Sequence, residues 1–96
     1  MNTQDGGWVI DPAVNSKNNH MTSEHHEIFT QAFEGLCGAA YQPLLYLGHQ
    51  LVAGHNHSYI ALQTLVLPGE RKNAVVKVTI YVPLQGTPAV TCIEAV

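Results

Sequence analysis

Six histidines are the side chains of this chain with the most chemistry to offer. They are His20, His25, His26, His49, His55 and His57. His55 and His57 are two residues apart, so on a strand they share a face, as many metal-binding pairs do, and His49 lies just before the same turn. No cysteine or carboxylate completes a recognisable ligand spacing. We therefore predict no metal ligand and no cofactor, keep a weak histidine-mediated metal-binding domain as an alternative, and expect pH-dependent docking beside these residues.

The two cysteines offer nucleophilic chemistry only if a thiolate can form. Cys37 and Cys92 both lie in apolar, periodic surroundings, where a buried thiol resists ionisation. Two reduced, buried thiols are the expectation, and a single disulfide between them stays open. The tripeptide at residues 55–57 spells His-Asn-His, but the basic surface and metal scaffold of a nuclease are missing. We predict that the chain is not an enzyme.

Composition limits what these residues can belong to. With 96 residues, residues 1–96 form one predicted domain, of which residues 1–7 are expected to be a flexible N-terminal segment. An apolar content of 46% excludes a disordered chain. A formal charge of −3 without a basic run excludes nucleic-acid binding. Charged residues are only 11% of the chain, and a surface so poor in charge suits contact with another protein.

The sequence also bears on location. No apolar run approaches the length of a membrane span, so no membrane partner is predicted. The first residues have neither a basic start nor an apolar core, so no signal peptide is recognised and a cytoplasmic location is expected. A secreted protein written without its leader is the alternative.

One helix is predicted over residues 22–37. Apolar side chains recur there at the spacing of one helix face: Ile28, Phe29, Ala32, Phe33, Leu36 and Cys37. Thr22 or Ser23 can cap the start and Gly38 is the expected terminator. The Phe29 and Phe33 stripe must then pack on an apolar surface, which the rest of the chain has to supply.

Everything after Gly38 has the pattern of strands and turns. The predicted strands are residues 40–52, 59–67, 76–82 and 89–96, with a possible short strand at residues 8–10. The alternation of apolar and polar residues is clearest in residues 76–82, which predicts one buried and one wet face. The fold class is therefore α+β, with one helix packed on a four- to five-stranded antiparallel sheet.

The order of these strands places the turns. In an antiparallel meander alternate turns fall at the same end of the sheet. The turns at residues 50–54 and 83–88 are therefore predicted neighbours, and the turn at residues 68–73 lies at the opposite end. Leu51, Val52 and Leu84 would make the shared end apolar. Exposed apolar turns are typical of a surface that binds a partner.

The first of these turns carries a recognisable motif. Gln50, Val52 and Gly54 spell Gln-x-Val-x-Gly, which resembles the inhibitory hairpin of the cystatin superfamily. Gly6-Gly7-Trp8 resembles the start of plant-type cystatins, and residues 50–62 look like the corresponding stretch of stefins. Order and spacing extend the resemblance over nearly the whole chain, so a cystatin-like fold is expected.

The resemblance implies a reversible, competitive inhibitor of papain-like (C1) cysteine proteases. Members of this superfamily block the protease cleft with a wedge made from an N-terminal glycine and two hairpin turns. The protease-binding residues implied here are Gly6, Gly7, Gln50, Leu51, Val52, Ala53, Gly54, Pro83, Leu84, Gln85 and Gly86. The resemblance also implies a chain that is mainly monomeric, with a possible domain-swapped dimer that forms by opening the first turn. A cystatin-fold adaptor that binds another protein without inhibiting a protease remains the alternative.

Overall fold

A computed structural model describes residues 7–15, 21–36 and 38–96. One α-helix packs on a five-stranded antiparallel sheet with strand order β1-β2-β3-β4-β5, which confirms the predicted α+β class. The elements in chain order are β1 (Trp8–Ile10), a 3₁₀ turn (Pro12–Asn15), α1 (Ser23–Phe33), β2 (Ala39–Val52), β3 (Gly54–Leu67), β4 (Glu70–Val82) and β5 (Ala89–Ala95).

The helix begins where the sequence predicts and ends earlier. The Thr22 hydroxyl accepts a hydrogen bond from the His25 amide and caps the first turn. The last helical residue is Phe33, not Cys37, so the predicted end was wrong. The chain leaves the helix through Gly35, whose φ of +83° closes the final turn. Leu36 consequently lies outside the helix and is exposed, while Cys37 lies outside the described residues.

Two strands, β3 and β4, are much longer than the sequence pattern predicts. β2 and β3 have 14 residues each and β4 has 13. β3 begins at Gly54 instead of residue 59, and β4 begins at Glu70 instead of residue 76. The predicted turn at residues 68–73 is therefore only Pro68 and Gly69. Polar residues extend both strands because a strand needs cross-strand pairing, and the pairing here continues without a break.

The core lies between the helix and one face of the sheet. Its buried members are Met21, Phe29, Ala32, Tyr46, Tyr59, Ala61, Val76, Val78 and Ile80. Phe29 packs edge-on against Tyr59 at a ring separation of 5.2 Å, and Phe33 stacks on Tyr41 at 4.5 Å. The Tyr59 hydroxyl donates a hydrogen bond of 2.7 Å to the His25 carbonyl and anchors the first helical turn. The helix stripe packs as predicted.

The opposite face of the sheet carries no helix within the described residues. Strand alternation directs Ser58 of β3 to this open face, since Tyr59 beside it faces the helix. Cys92 pairs with Thr79, the neighbour of Ser58, and so lies on the open face of the edge strand β5. It is a free, exposed cysteine. The prediction of burial was therefore wrong for Cys92, because it lies on the face of β5 opposite the helix, which no helix covers within the described residues.

Candidate functional site: the paired turns at one end of the sheet

The first turn is tighter than the motif suggests. Gln50, Leu51 and Val52 are the last residues of β2, Gly54 is the first residue of β3, and Val52 pairs with Gly54. Ala53 alone forms the tip. Gly54 adopts a φ of +105°, a backbone conformation that glycine reaches at little cost.

The second turn lies directly against the first. A Cβ atom placed on Gly54 would be 2.3 Å from the Val82 carbonyl oxygen, 3.0 Å from Pro83 Cα and 3.2 Å from the Leu84 amide nitrogen. The Tyr81 hydroxyl donates a hydrogen bond to the Ala53 carbonyl. These contacts confirm that residues 50–54 and 83–88 are neighbours, and we call the surface formed by residues 50–54 and 83–86 the tip edge.

The tip edge is apolar and exposed. Leu84 is 79% exposed, Leu51 51% and Val52 38%, and Gln85 and Gly86 beside Leu84 are also exposed. Underneath, the Asn56 amide donates a 2.8 Å hydrogen bond to Gln50 Oε1. Through this bond the Gln50 side chain braces the hairpin beneath the apolar side chains.

The start of β1 reaches the same end of the sheet. Trp8 pairs with Gln50, Val9 with His49 and Ile10 with Gly48. Because β1 runs antiparallel to β2, Gly7 lies one residue further toward the tip edge. Gly7 is half-buried there, whereas Gly6 lies outside the described residues.

Four histidines gather on the helix side of the sheet just behind the tip edge. His49 pairs with His57 across β2 and β3, and the His49–His55, His49–His57 and His55–His57 ring centroids are 6.4, 6.5 and 6.0 Å apart. The predicted shared face is therefore confirmed. The first helical turn adds His25, whose ring lies 5.9 Å from that of His57. The Tyr46 hydroxyl and His57 Nδ1 share a hydrogen bond of 2.7 Å.

Burial suppresses protonation at the centre of this cluster. Burial, and to a smaller extent repulsion from the protonated rings of His25, His55 and His49, lowers the pKa of His57 from 6.5 to about 4. Burial also lowers the pKa of His25. His57 is thus neutral at pH 7. Within the described part of the chain, no group of three or more histidine, cysteine, aspartate or glutamate residues is arranged to hold a metal ion.

Three residues of this region escaped the sequence analysis. Tyr81 looked like one more wet position of an alternating strand, although a tyrosine next to a turn can reach a neighbouring carbonyl. Nothing in the sequence indicated that the Asn56 amide would bond to the Gln50 side chain. His25 joins the cluster only because the helix crosses the sheet at this point.

Comparison with protein-family models, with curated proteins and with solved structures finds no match for this chain. Among residues 7–15, 21–36 and 38–96, no helix is both long and apolar enough to cross a membrane.

Proposed function

We propose that this chain is a cystatin-like protein that reversibly and competitively inhibits papain-like cysteine proteases. The observation that carries the proposal is the tip edge, where two apolar turns from separate hairpins touch each other and project from the end of the sheet. The strand order, with the helix between β1 and β2, agrees with the resemblance noted in the sequence.

The tip edge has the properties of a surface that docks without rearranging. Its two turns are joined by the Tyr81–Ala53 hydrogen bond and by the packing of Gly54 on Val82 and Pro83. A preformed surface loses little conformational entropy on binding. Leu84, Leu51 and Val52 then contribute apolar area that is exposed before docking and buried after it.

The proposed mechanism is exclusion from the cleft. Both turns fill the protease cleft on one side of the catalytic thiolate, and Gly7 with the chain before it lies along the other side. No peptide carbonyl is held in position for attack by the thiolate, so no bond is cleaved. Because this chain contributes no group that reacts with the protease, the complex dissociates unchanged.

The test is a titration of papain with the pure chain at pH 7. We expect complete, reversible loss of papain activity, competitive with a peptide substrate. Trypsin, which has a serine nucleophile and a differently shaped cleft, is the control and should keep its activity.

Full papain activity at a micromolar excess of folded chain would contradict the proposal. In that case a binding adaptor that uses the same apolar edge would remain, because an adaptor needs the exposed turns and not the fit to a protease cleft.

A further inference from the structure

The open face of the sheet contains a cavity on the side away from the helix. It has a volume of about 270 Å³, just below the range of about 300–1,000 Å³ that is typical of small-molecule sites. The described residues that line it are Trp8, Ile10, Leu47, Gly48, Ser58 and Lys77. The cavity belongs to neither turn of the tip edge, so it calls for a separate explanation.

The shape of this cavity follows from the strand pairing. Ile10, Gly48 and Ser58 lie in one cross-strand row on β1, β2 and β3. Gly48 has to be a glycine, since a Cβ there would lie 2.2 Å from the Val9 carbonyl oxygen. Gly48 and Ser58 therefore form the floor of the cavity. The larger side chains of the lining form its walls.

The floor holds a polar atom that the protein leaves unsatisfied. Ser58 is only 3% exposed, and its hydroxyl oxygen is buried with no hydrogen-bond partner among the described residues. Leaving a buried hydroxyl unpaired destabilises the folded state. A ligand atom that bonds this hydroxyl would remove that penalty, so the floor has a ready polar contact to offer.

A positive charge stands within reach of that hydroxyl. Lys77 on β4 pairs with Ile60 and is therefore a diagonal neighbour of Ser58 on the same face. Diagonal neighbours are about 7–8 Å apart, a distance that a long side chain can span. The register also places the Glu94 carboxylate opposite Lys77, where it competes for the ammonium group.

We propose that this cavity binds a small amphiphilic carboxylate, the anion of a medium-chain fatty acid. The carboxylate accepts hydrogen bonds from the Ser58 hydroxyl and the Lys77 ammonium group. The alkyl chain lies against Trp8, Ile10 and Leu47, whose apolar surface is partly exposed in the empty cavity. The proposal is independent of protease inhibition, because none of these residues belongs to the tip edge.

Trp8 is the only tryptophan of the chain and reports binding directly. Octanoate, added below the concentration at which it forms micelles, should change Trp8 emission in a saturable way. Octanol has the same chain without the charge and should bind at least tenfold more weakly. Equal affinity for octanoate and octanol, or no saturable change with octanoate, would overturn the proposal. A change in emission that follows protein concentration instead of octanoate would identify a contact between two copies and would also overturn it.

Variants separate the two polar contacts. Lys77→Gln should weaken octanoate binding at least fivefold, Glu94→Gln should strengthen it by removing the competing carboxylate, and Lys72→Gln at the other end of β4 should leave it unchanged. Equal weakening by Lys77→Gln and Lys72→Gln would show only a general charge effect and would contradict the site.

Ser58→Ala has two expected effects of opposite direction. It should raise the Tm of the free protein, because it removes a buried, unpaired hydroxyl, and it should weaken octanoate binding. A lowered Tm would mean that the hydroxyl is already satisfied, which would contradict the role assigned to it. Unchanged octanoate affinity would contradict that role as well.

Discussion

The two ends of the sheet are both built from β-hairpin turns, yet they differ in how the turns are braced and in the charge beside them. At the tip edge, Gly54 is packed against the neighbouring turn and Tyr81 bonds the Ala53 carbonyl. At the other end, Gly69 also has a positive φ, of +79°, but a Cβ there would meet nothing within 4 Å. Exposed charge follows that far turn at Glu70, Arg71 and Lys72, while Val66 and Leu67 before the turn are exposed and apolar.

The far turn meets only a requirement of folding, whereas the tip-edge turn has features that folding does not require. An open turn such as Pro68–Gly69 is sufficient to reverse the chain. An apolar turn braced by a second turn does more than reverse it, because apolar exposure costs solvation and the bracing restricts motion. We interpret the difference as the mark of a binding end and a merely connecting end.

Opening the first turn of the tip edge should have the largest effect on papain inhibition. If Ala53 straightens, β2 and β3 become one continuous strand and two chains can exchange β1 and the helix. The barrier is high because the core must separate first. We therefore expect mainly monomer after gentle purification and a dimer after mild heating, with no papain inhibition by the dimer.

Size-exclusion chromatography followed by a papain assay on each peak measures this effect. A dimer that inhibits as well as the monomer would show that exchange does not pass through the tip edge.

Val52→Asp compares the two ends directly. Docking would bury an unpaired carboxylate at the tip edge, which should weaken protease binding by about 3 kcal/mol, more than a hundredfold. Val66→Asp is the matched control, because Val66 is an exposed valine near the far turn and its replacement should leave inhibition unchanged. Inhibition constants for papain measure both, with circular dichroism to confirm folding. Equal losses from both variants would break the distinction between the ends.

Alanine at the two glycines should affect stability unequally. Gly54→Ala combines a strained φ with a collision against the Val82 carbonyl, and we expect a loss of about 3 kcal/mol. Gly69→Ala meets open space, so only the backbone strain of about 1 kcal/mol remains. Urea unfolding of both variants gives the difference. Similar losses would mean that the packing of the tip edge adds nothing to its stability.

Acid should lower the stability of the folded protein through His57, which lies just behind the tip edge. The pKa of His57 is about 4 when folded and 6.5 when unfolded, so between these values the unfolded state binds more protons. Stability is therefore full above pH 6.5, falls as the pH drops from 6.5 to 4, and levels off below pH 4. Because His57 is only half-buried, solvent screens part of this penalty, and we expect a loss of about 1–2 kcal/mol.

His57→Gln should flatten this dependence, and His26→Gln on the exposed side of the helix is the control. Urea midpoints between pH 7.5 and pH 4 measure the slopes. Parallel curves for the parent and His57→Gln would assign the acid sensitivity to other groups.

The sequence predicted the helix, the four long strands and the proximity of the two turns, because periodicity and the alternation of antiparallel strands are local properties. It did not predict the strand ends. The polar residues 55–58 and 70–73 look like loops until β2, β3 and β4 pair continuously through them. The burial of Cys92 was misjudged for a related reason, since an apolar neighbourhood in sequence does not reveal whether a sheet face is covered.

Contacts between distant residues were beyond sequence reasoning altogether. Asn15 donates to the Tyr46 carbonyl at 2.7 Å and accepts from the Tyr46 amide at 2.8 Å, so a side chain takes the place of a strand at the irregular part of β2. His25 reaches the histidine cluster only through the helix that carries it. The Asn15–Tyr46 and His25 contacts both depend on how elements distant in sequence pack against each other.

The sequence by itself determined the α+β class, the glycine-containing turns and the apolar character of residues 51, 52 and 84, because conformational preference and hydrophobicity belong to each residue and its neighbours. Only the tertiary structure decided that Ala53 alone forms the tip, that Tyr81 braces it, and that Ser58 lies unpaired below Trp8 and Lys77. Hydrogen bonds and burial join residues far apart in the chain, and their partners exist only once the sheet has formed.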